Sequence, residues 1–309
     1  MAKILVTGGA GFIGSHVVRG LIADGHSVVV LDDLSVGTRQ AVPHGNAIDF
    51  VKGDVADKAT VEKAMQGCDH VVHLAAQVNM AQALENPERV FAVNVSGLLH
   101  VLEQARKTKF AGRILYASSA AVYGAHSGGA VKEDDGATLP LSHPYAASKR
   151  AAEVMARMYK EAYGVQAMGL RIFNAYGPGQ DETSAYSGLL SKVIDSVQNG
   201  TLLTIYGDGS QTRDFVAVQD VATVIRALVK APASVTLPWV MNVGSGQAVT
   251  LLDTIRHVVA LKKVNPRVEY RPARPGDVKL SCADIGLLGQ VFPGWKPVDL
   301  ANGLRRWLG

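Results

Sequence analysis

The sequence predicts an α/β fold: a doubly wound parallel sheet followed by a smaller α+β lobe. Strand and helix patterns alternate through roughly the first 175 residues of the 309-residue chain. The strand segments are unbroken apolar runs, which implies burial on both faces and so a parallel sheet between layers of helices. A glycine-rich turn follows the first strand directly, where such sheets hold phosphate groups.

Lys3–Thr7 (KILVT) is a short β-branched run that stops at Gly8-Gly9-Ala10-Gly11. The helical pattern of 12–24 ends at Gly25, a residue type suited to the left-handed position after a helix. Strands follow at 27–31 and 48–51. Asp57 caps a helix that runs through Met65 and ends at Gly67, and 70–75 (HVVHLA) is a strand. The span 87–107 reads as one long helix, because Val90, Val93, Leu98, Val101, Leu102 and Ala105 recur near helical spacing. A strand at 113–117, a helix at 143–163 ended by Gly164 and a strand at 166–173 complete the alternation, and right-handed crossovers wind it on both faces. From Gly177 the pattern loosens. A polar loop (177–188) leads to a helix (189–198), a strand (203–206), a helix (218–230), a strand (239–243), a helix (251–261) and short mixed elements. The expected division is a dinucleotide-binding domain at 1–176 and a substrate lobe at 177–309, with about 213–245 packing back on the first sheet.

Composition excludes several classes. Hydrophobic residues make up 48 % and charged residues 19 %, enough apolar surface to offset ordering entropy over most of the chain. The net charge of +4 is spread without a like-charged run, which argues against a nucleic-acid partner. Cys68 and Cys282 lie far apart and suit neither a disulfide framework nor a metal site. The nine histidines lack ligand spacing, so no metal is expected, and His73, in a core strand, reads as a buried histidine with its hydrogen bonds satisfied. No apolar run reaches membrane-spanning length, and the first residues lack the pattern of a signal peptide. The expected location is cytoplasmic, with no membrane partner.

Gly8-Gly9-Ala10-Gly11-Phe12-Ile13-Gly14 satisfies both G-x-G-x-x-G and G-x-x-G-x-x-G. Missing Cβ atoms allow a tight turn and close approach of a pyrophosphate to backbone N–H groups at a helix N-terminus. The strand before and the helix after raise this above a chance match. Asp32 ends the second strand 18 residues past Gly14. A carboxylate there accepts from adenosine ribose hydroxyls and repels a 2′-phosphate, which favours NAD over NADP. Asp33 beside it is either the ligand in its place or a turn residue, and Asp54, after the third strand, is placed to meet adenine.

Tyr145 and Lys149 are i and i+4 on a predicted helix and share a face. A lysine ammonium near a phenol lowers its pKa and makes a general base. With nine tyrosines in the chain, one such pairing by chance is unremarkable. Its location sets it apart: the helix follows the strand 113–117, which ends in Ser118-Ser119 at the carboxyl edge where ligands bind.

These motifs resemble an extended short-chain dehydrogenase/reductase of the NAD-dependent epimerase/dehydratase family, near the UDP-glucose and UDP-N-acetylglucosamine 4-epimerases. The resemblance rests on TGGAGFIG, Asp32, His73-Leu74-Ala75-Ala76, Asn94, Ser118-Ser119-Ala-Ala-Val-Tyr-Gly, Tyr145-x-x-x-Lys149 and Leu170-Arg-Ile-Phe-Asn-Ala-Tyr-Gly-Pro178, and it covers essentially the whole chain in order. It implies a Rossmann sheet and bound NAD. It implies catalytic roles for Ser119, Tyr145 and Lys149, and NAD contacts from Gly8, Gly11, Phe12, Ile13, Gly14, Asp32, Asp33, Ser35, Gly37, Asp54, Val55, Leu74, Ala75, Ala76, Gln77, Asn94, Ser118, Tyr145, Lys149 and Phe173. It implies a UDP-sugar substrate held by Val78, Ser119, Tyr145, Asn174, Leu190, Tyr206, Arg213, Arg274, Asp277 and Ser281, and a homodimer formed through helices at about 87–107 and 143–163.

Within the family, dehydratases carry Asp-Glu after the catalytic Ser or Thr, and related decarboxylases a Glu two residues after it. Here Ala120 and Ala121 stand there, so the resemblance points away from elimination and toward epimerisation at C4. Arg213 and Arg274 match diphosphate-reading positions, a task suited to the planar guanidinium fork, and Asp277 matches a nucleotide-ribose position. Read without the resemblance, each arginine is more readily a solvated or inter-lobe salt bridge. Ser281 matches a position whose bulk decides whether N-acetylated sugars enter, and its small size predicts room for UDP-GlcNAc as well as UDP-Glc. Ala121 and Val78 depart from many 4-epimerases and bear on the sugar. Asp181 and Glu182, in a loop without Arg or Lys, count against UDP-glucuronate. The alternatives are an epimerase of another nucleotide sugar (UDP-glucuronate or ADP-heptose type), a net NAD(P)-dependent oxidoreductase, and a non-catalytic NAD sensor.

Overall fold

Strand and helix alternate through β1 (Lys3–Thr7), α1 (Phe12–Ala23), β2 (Ser27–Asp32), β3 (Ile48–Lys52), α2 (Lys58–Met65), β4 (His70–His73), α3 (Met80–Glu85), α4 (Pro87–Phe91), α5 (Gly97–Thr108), β5 (Ile114–Ser119), α6 (Pro144–Tyr163) and β6 (Ala167–Ile172). There follow β7 (Asn174–Tyr176), α7 (Leu189–Asn199), β8 (Leu202–Tyr206), β9 (Thr212–Ala217), α8 (Val218–Lys230), β10 (Val240–Val243), β11 (Ala248–Thr250), α9 (Leu251–Lys262), β12 (Arg267–Arg271), α10 (Gly286–Val291) and α11 (Leu300–Leu308). The computed structural model describes residues 1–124, 129–135, 141, 143–180, 189–232, 234–273 and 278–309.

Seven strands form one sheet in the order β10-β6-β5-β4-β1-β2-β3. β1 lies between β2 and β4 in parallel ladders, with Ile4 opposite Val28 on one side and His70 on the other. Ile4, Leu5 and Val6 are fully buried, as an unbroken apolar run in a central strand requires. Leu5, Leu31, Val71 and Ile114 from the sheet pack with Val61 of α2, Leu102 of α5 and Ala156 of α6 in one core. The parallel arrangement puts the ends of β1, β2, β3, β4 and β5 on one edge, where the loops carrying the predicted site residues begin.

The chain groups into two compact units. The first comprises 1–122, 143–171 and 221–241, and the second 123–142, 172–220 and 242–309. In the second, β9 pairs parallel with β7 and antiparallel with β11, and β8 pairs parallel with β12. Its core gathers Tyr176, Val193, Ile194, Phe215, Leu251 and Leu304.

The predicted helix at 87–107 is interrupted. A π turn at Ala92–Ser96 separates α4 from α5, because one extra residue per turn is accommodated around buried Asn94. β4 stops at His73 rather than 75. Helix α3 went unpredicted: it is short and buries only Ala83, so it has no apolar period, and it starts because Asn79 accepts from Gln82 N. No helix among the described residues is long and apolar enough to cross a membrane.

Candidate active site

Two glycines shape the turn between β1 and α1. Gly8 has φ +69, and a Cβ there would lie 2.6 Å from Ala75 N. A Cβ on Gly14 would lie 2.0 Å from the Gly8 carbonyl oxygen. Gly11 precedes α1 with no side-chain cap, and the first turn, which starts with Phe12 and Ile13, carries no acidic residue. Uncapped N–H groups at a helix N-terminus favour an anion. Asp32 ends β2 and is buried; its Oδ2 accepts from Ala10 N at 2.9 Å and its Oδ1 from Leu34 N at 2.9 Å. It therefore braces the glycine turn itself. Asp33 Oδ1 accepts from Ser35 N (3.0 Å) and Ser35 Oγ (2.6 Å), and Asp54 Oδ1 accepts from Ala56 N (2.8 Å). Gly37 lies against the Ala10 carbonyl, and buried Val55 lies against Gly97. A phosphate-ready helix end beside acidic strand ends fits a dinucleotide with an unphosphorylated ribose.

The loop after β4 is stitched to its neighbours. Leu74 N donates to Thr7 O and Ala75 N to Thr7 Oγ1. Ala76 follows, half-buried, and Val78 is exposed. Asn94 accepts from Gln77 N (2.8 Å) and donates to Gln77 O (3.1 Å) and Ser148 Oγ (3.0 Å). The π turn thereby links this loop to α6.

Ser119, Tyr145 and Lys149 come together in the first unit. Ser119 closes β5, while Tyr145 and Lys149 lie in the first turns of α6. Pro144 opens this helix, and His143 caps it by accepting from Tyr145 N at 3.2 Å. The Ser119 hydroxyl hydrogen-bonds the Tyr145 phenol. Burial pushes the phenol pKa up, and the Ser119 bond pulls it down. Lys149 Nζ donates to Ala117 O at 2.8 Å and sits 5.9 Å from the Tyr145 ring centroid. Burial pushes the Lys149 ammonium down to about 8, opposed by the Glu153 carboxylate.

Sequence reasoning missed Glu153, although it repeats the four-residue step from Tyr145 to Lys149 once more. Glu153 is buried and accepts from Arg171 Nε (2.9 Å) and Nη2 (2.8 Å) and from the Ser118 hydroxyl. Ser118 is thus bonded to the helix. The expectation of a satisfied His73 is also corrected. Its Nδ1 meets Thr7 Oγ1 at 2.9 Å, but its buried Nε2 has no hydrogen-bond partner among the described residues. Burial, then the Lys149 charge, pushes His73 down to about 3, so the ring is neutral.

In the second unit, Asn174 donates to Asp214 O at 3.2 Å, and buried Phe173 packs near Tyr123. Leu190 is a core residue at 2 % exposure, and Tyr206 ends β8, partly exposed. Arg213 Nη1 donates to Thr212 O (2.8 Å) and Val278 O (2.7 Å). Ser281 is partly exposed, and its N donates to Thr212 Oγ1 at 3.3 Å. Buried Asp214, also missed from sequence, accepts from Ser245 N and Oγ, Gly246 N and Ala283 N, and so ties the Ser281 segment to β9. Arg274 and Asp277 lie outside the described residues, as do Asp181 and Glu182.

A family model described as the NAD dependent epimerase/dehydratase family matches residues 4–244. A UDP-glucose 4-epimerase of Mycolicibacterium smegmatis is 33 % identical over 98 % of this chain and 96 % of its own. Among solved structures, the UDP-N-acetylglucosamine 4-epimerase of Methanobrevibacter ruminantium, in complex with UDP-N-acetylmuramic acid, is similar with a TM-score of 0.89 and 33 % identity, covering 98 % of this chain and 96 % of that one. The UDP-glucose 4-epimerase of Thermus thermophilus, solved with NAD, is similar with a TM-score of 0.86 and 35 % identity, covering 98 % and 96 %. Turn, strand order and whole-chain likeness agree: this chain belongs to the NAD dependent epimerase/dehydratase family, a family of enzymes that work with NAD.

Proposed function

We propose that the protein is a 4-epimerase of UDP-hexoses, interconverting UDP-Glc with UDP-Gal and UDP-GlcNAc with UDP-GalNAc. The observation that carries this reading is the meeting of Ser119, Tyr145 and Lys149 in the unit that also holds the glycine turn. Bound NAD supplies the reversible oxidation at C4 of the sugar. Tyr145 takes the 4-hydroxyl proton and later returns it. Ser119 relays that proton and offsets the desolvation of the phenol. Lys149, anchored on Ala117 O, holds a positive charge beside the phenol ring. The keto sugar turns over about its diphosphate, so C4 regains its hydrogen on the opposite face while Tyr145 returns the proton to the 4-oxygen. Arg213 and Arg274 grip that diphosphate, Asp277 the uridine ribose, and Asn174, Leu190, Tyr206 and Val78 complete the substrate contacts. Ser281 leaves room for an N-acetyl group.

Residues 1–176 serve as the NAD-binding domain and 177–309 as the nucleotide-sugar lobe. The protein works as a cytoplasmic homodimer through helices at about 87–107 and 143–163. Support for the dimer comes from Phe91, Val154 and Met158, apolar residues exposed on those helices.

Proton NMR of UDP-Glc and UDP-GlcNAc, each incubated with the protein and no added NAD, tests the reading. The expected result is growth of the matching galacto anomeric signal, abolished by Tyr145→Phe. Silence from both sugars, even with NAD supplied, refutes it. Net change in absorbance at 340 nm on turnover would instead identify an oxidoreductase.

A further inference from the structure

Three carboxylates gather where β2 and β3 end: Asp32, Asp33 and Asp54. Arg89, in the first turn of α4, reaches two of them. Its Nη1 lies 2.6 Å from Asp54 Oδ2 and its Nη2 3.4 Å from Asp33 Oδ2. Its own backbone is fixed, because the Asn86 side chain accepts from Arg89 N at 3.0 Å. Each carboxylate spends its other oxygen on its own loop, Asp54 on Ala56 N and Asp33 on Ser35. The guanidinium fork therefore fixes the rotation of both carboxylates and bridges the ends of two neighbouring strands.

Stability alone does not account for the arrangement. The Arg89 side chain is 36 % exposed, and ion pairs this open contribute little to folding. The place is informative instead, since the ends of β2 and β3 are where the sequence puts the adenosine half of the dinucleotide. We propose that Arg89 is a positioning residue for adenosine: it holds Asp54 toward the adenine amino group and Asp33 beside the ribose. This rests on the NAD reading of the glycine turn. Arg89 also relieves the repulsion among three like charges while leaving the cluster net negative, which keeps the preference for an unphosphorylated ribose.

Calorimetric titration of exhaustively dialysed protein with NAD and with ADP-ribose, its adenosine-bearing part, tests this. Arg89→Met is expected to weaken both ligands about tenfold while leaving the unfolding midpoint without ligand unchanged. Arg89→Lys, which keeps the charge but not the fork, falls between. On an Asp54→Asn background, Arg89→Met has a much smaller effect, because it acts through that carboxylate. Where NAD survives dialysis, the NAD retained per chain reads the same loss. Equal affinities in wild type and Arg89→Met overturn the proposal and leave the NAD reading standing. A wild type that binds neither NAD nor ADP-ribose overturns both.

Discussion

Replacing Lys149 by Met is expected to destroy activity and raise stability. The lysine is 4 % exposed, and burial holds its pKa at about 8 against an ordinary value of 10.5. That difference is worth roughly 3 kcal/mol against the charged folded state at neutral pH. Loss of the bond to Ala117 O offsets about 1–2 kcal/mol of any gain. The net expectation near pH 7 is about 1–2 kcal/mol in favour of Lys149→Met, or roughly 2–6 °C in unfolding midpoint. The sign follows from the protons. Between pH 8 and 10.5 the unfolded chain still holds the lysine proton and the folded chain has released it, so wild-type stability from this group rises with pH across that window. The advantage of the methionine variant is therefore full below pH 8, shrinks as pH rises above it and is reversed by about 10.5, where only the lost bond to Ala117 O counts. Thermal scans of both proteins across this range read the difference, with NAD dialysed away because a bound ligand raises the midpoint by mass action. A lower midpoint for Lys149→Met at pH 7, or a gap that does not change with pH, refutes the reasoning.

Other substitutions separate the parts of the site. Ser119→Ala removes the bond that lowers the Tyr145 pKa, so turnover falls by about 10²-fold or more and the rising limb of the pH–rate profile moves to higher pH. Glu153→Gln leaves the Arg171 guanidinium buried without its counter-charge and is expected to cost about 3–5 kcal/mol in urea unfolding; adding Arg171→Met recovers much of that. Ser281→Tyr, at a partly exposed position, is expected to lower turnover of UDP-GlcNAc at least about tenfold while UDP-Glc stays within about threefold, read by the same NMR assay.

The sheet was legible because its strands are written in unbroken β-branched runs and its turn in glycines, both local signals. Lys3–Thr7, the glycine turn and α1 are read from adjacent residues, and the structure matches them closely. The π turn was not legible, since Val93, Leu98 and Val101 keep a near-helical rhythm through it and the extra residue per turn leaves no mark in composition. The strand pair of β8 and β12 was only half visible. Arg267–Arg271 is charged at both ends and largely exposed, so it lacks the apolar signature of the main sheet. Spacing placed Lys149 and Tyr145 on one face but not the direction of Nζ, which a backbone carbonyl 32 positions away decides. Arg89 was invisible for the same reason: its partners lie 56 and 35 residues earlier and meet only once β2 and β3 stand side by side.

The committed partners of these polar groups divide them into two kinds. Asp32, Asn94, Ser118 and Lys149 bond Ala10 and Leu34, Gln77 and Ser148, Glu153, and Ala117 respectively. Each ties one element of the first unit to another, so substitution of Asp32, Asn94 or Ser118 is expected to lower the unfolding midpoint and turnover together. Ser119 and Tyr145 bond each other between β5 and α6, and both residues keep part of their surface open. Among the described residues, Ser119 Oγ accepts besides only from Ala121 N, two residues on in its own turn, so Ser119→Ala and Tyr145→Phe should cost turnover far more than midpoint. A group that moves a proton must change its hydrogen bonds during each turnover, so its geometry has to be held by neighbours whose own bonds stay made, as those of Asn94, Ser118 and Lys149 do.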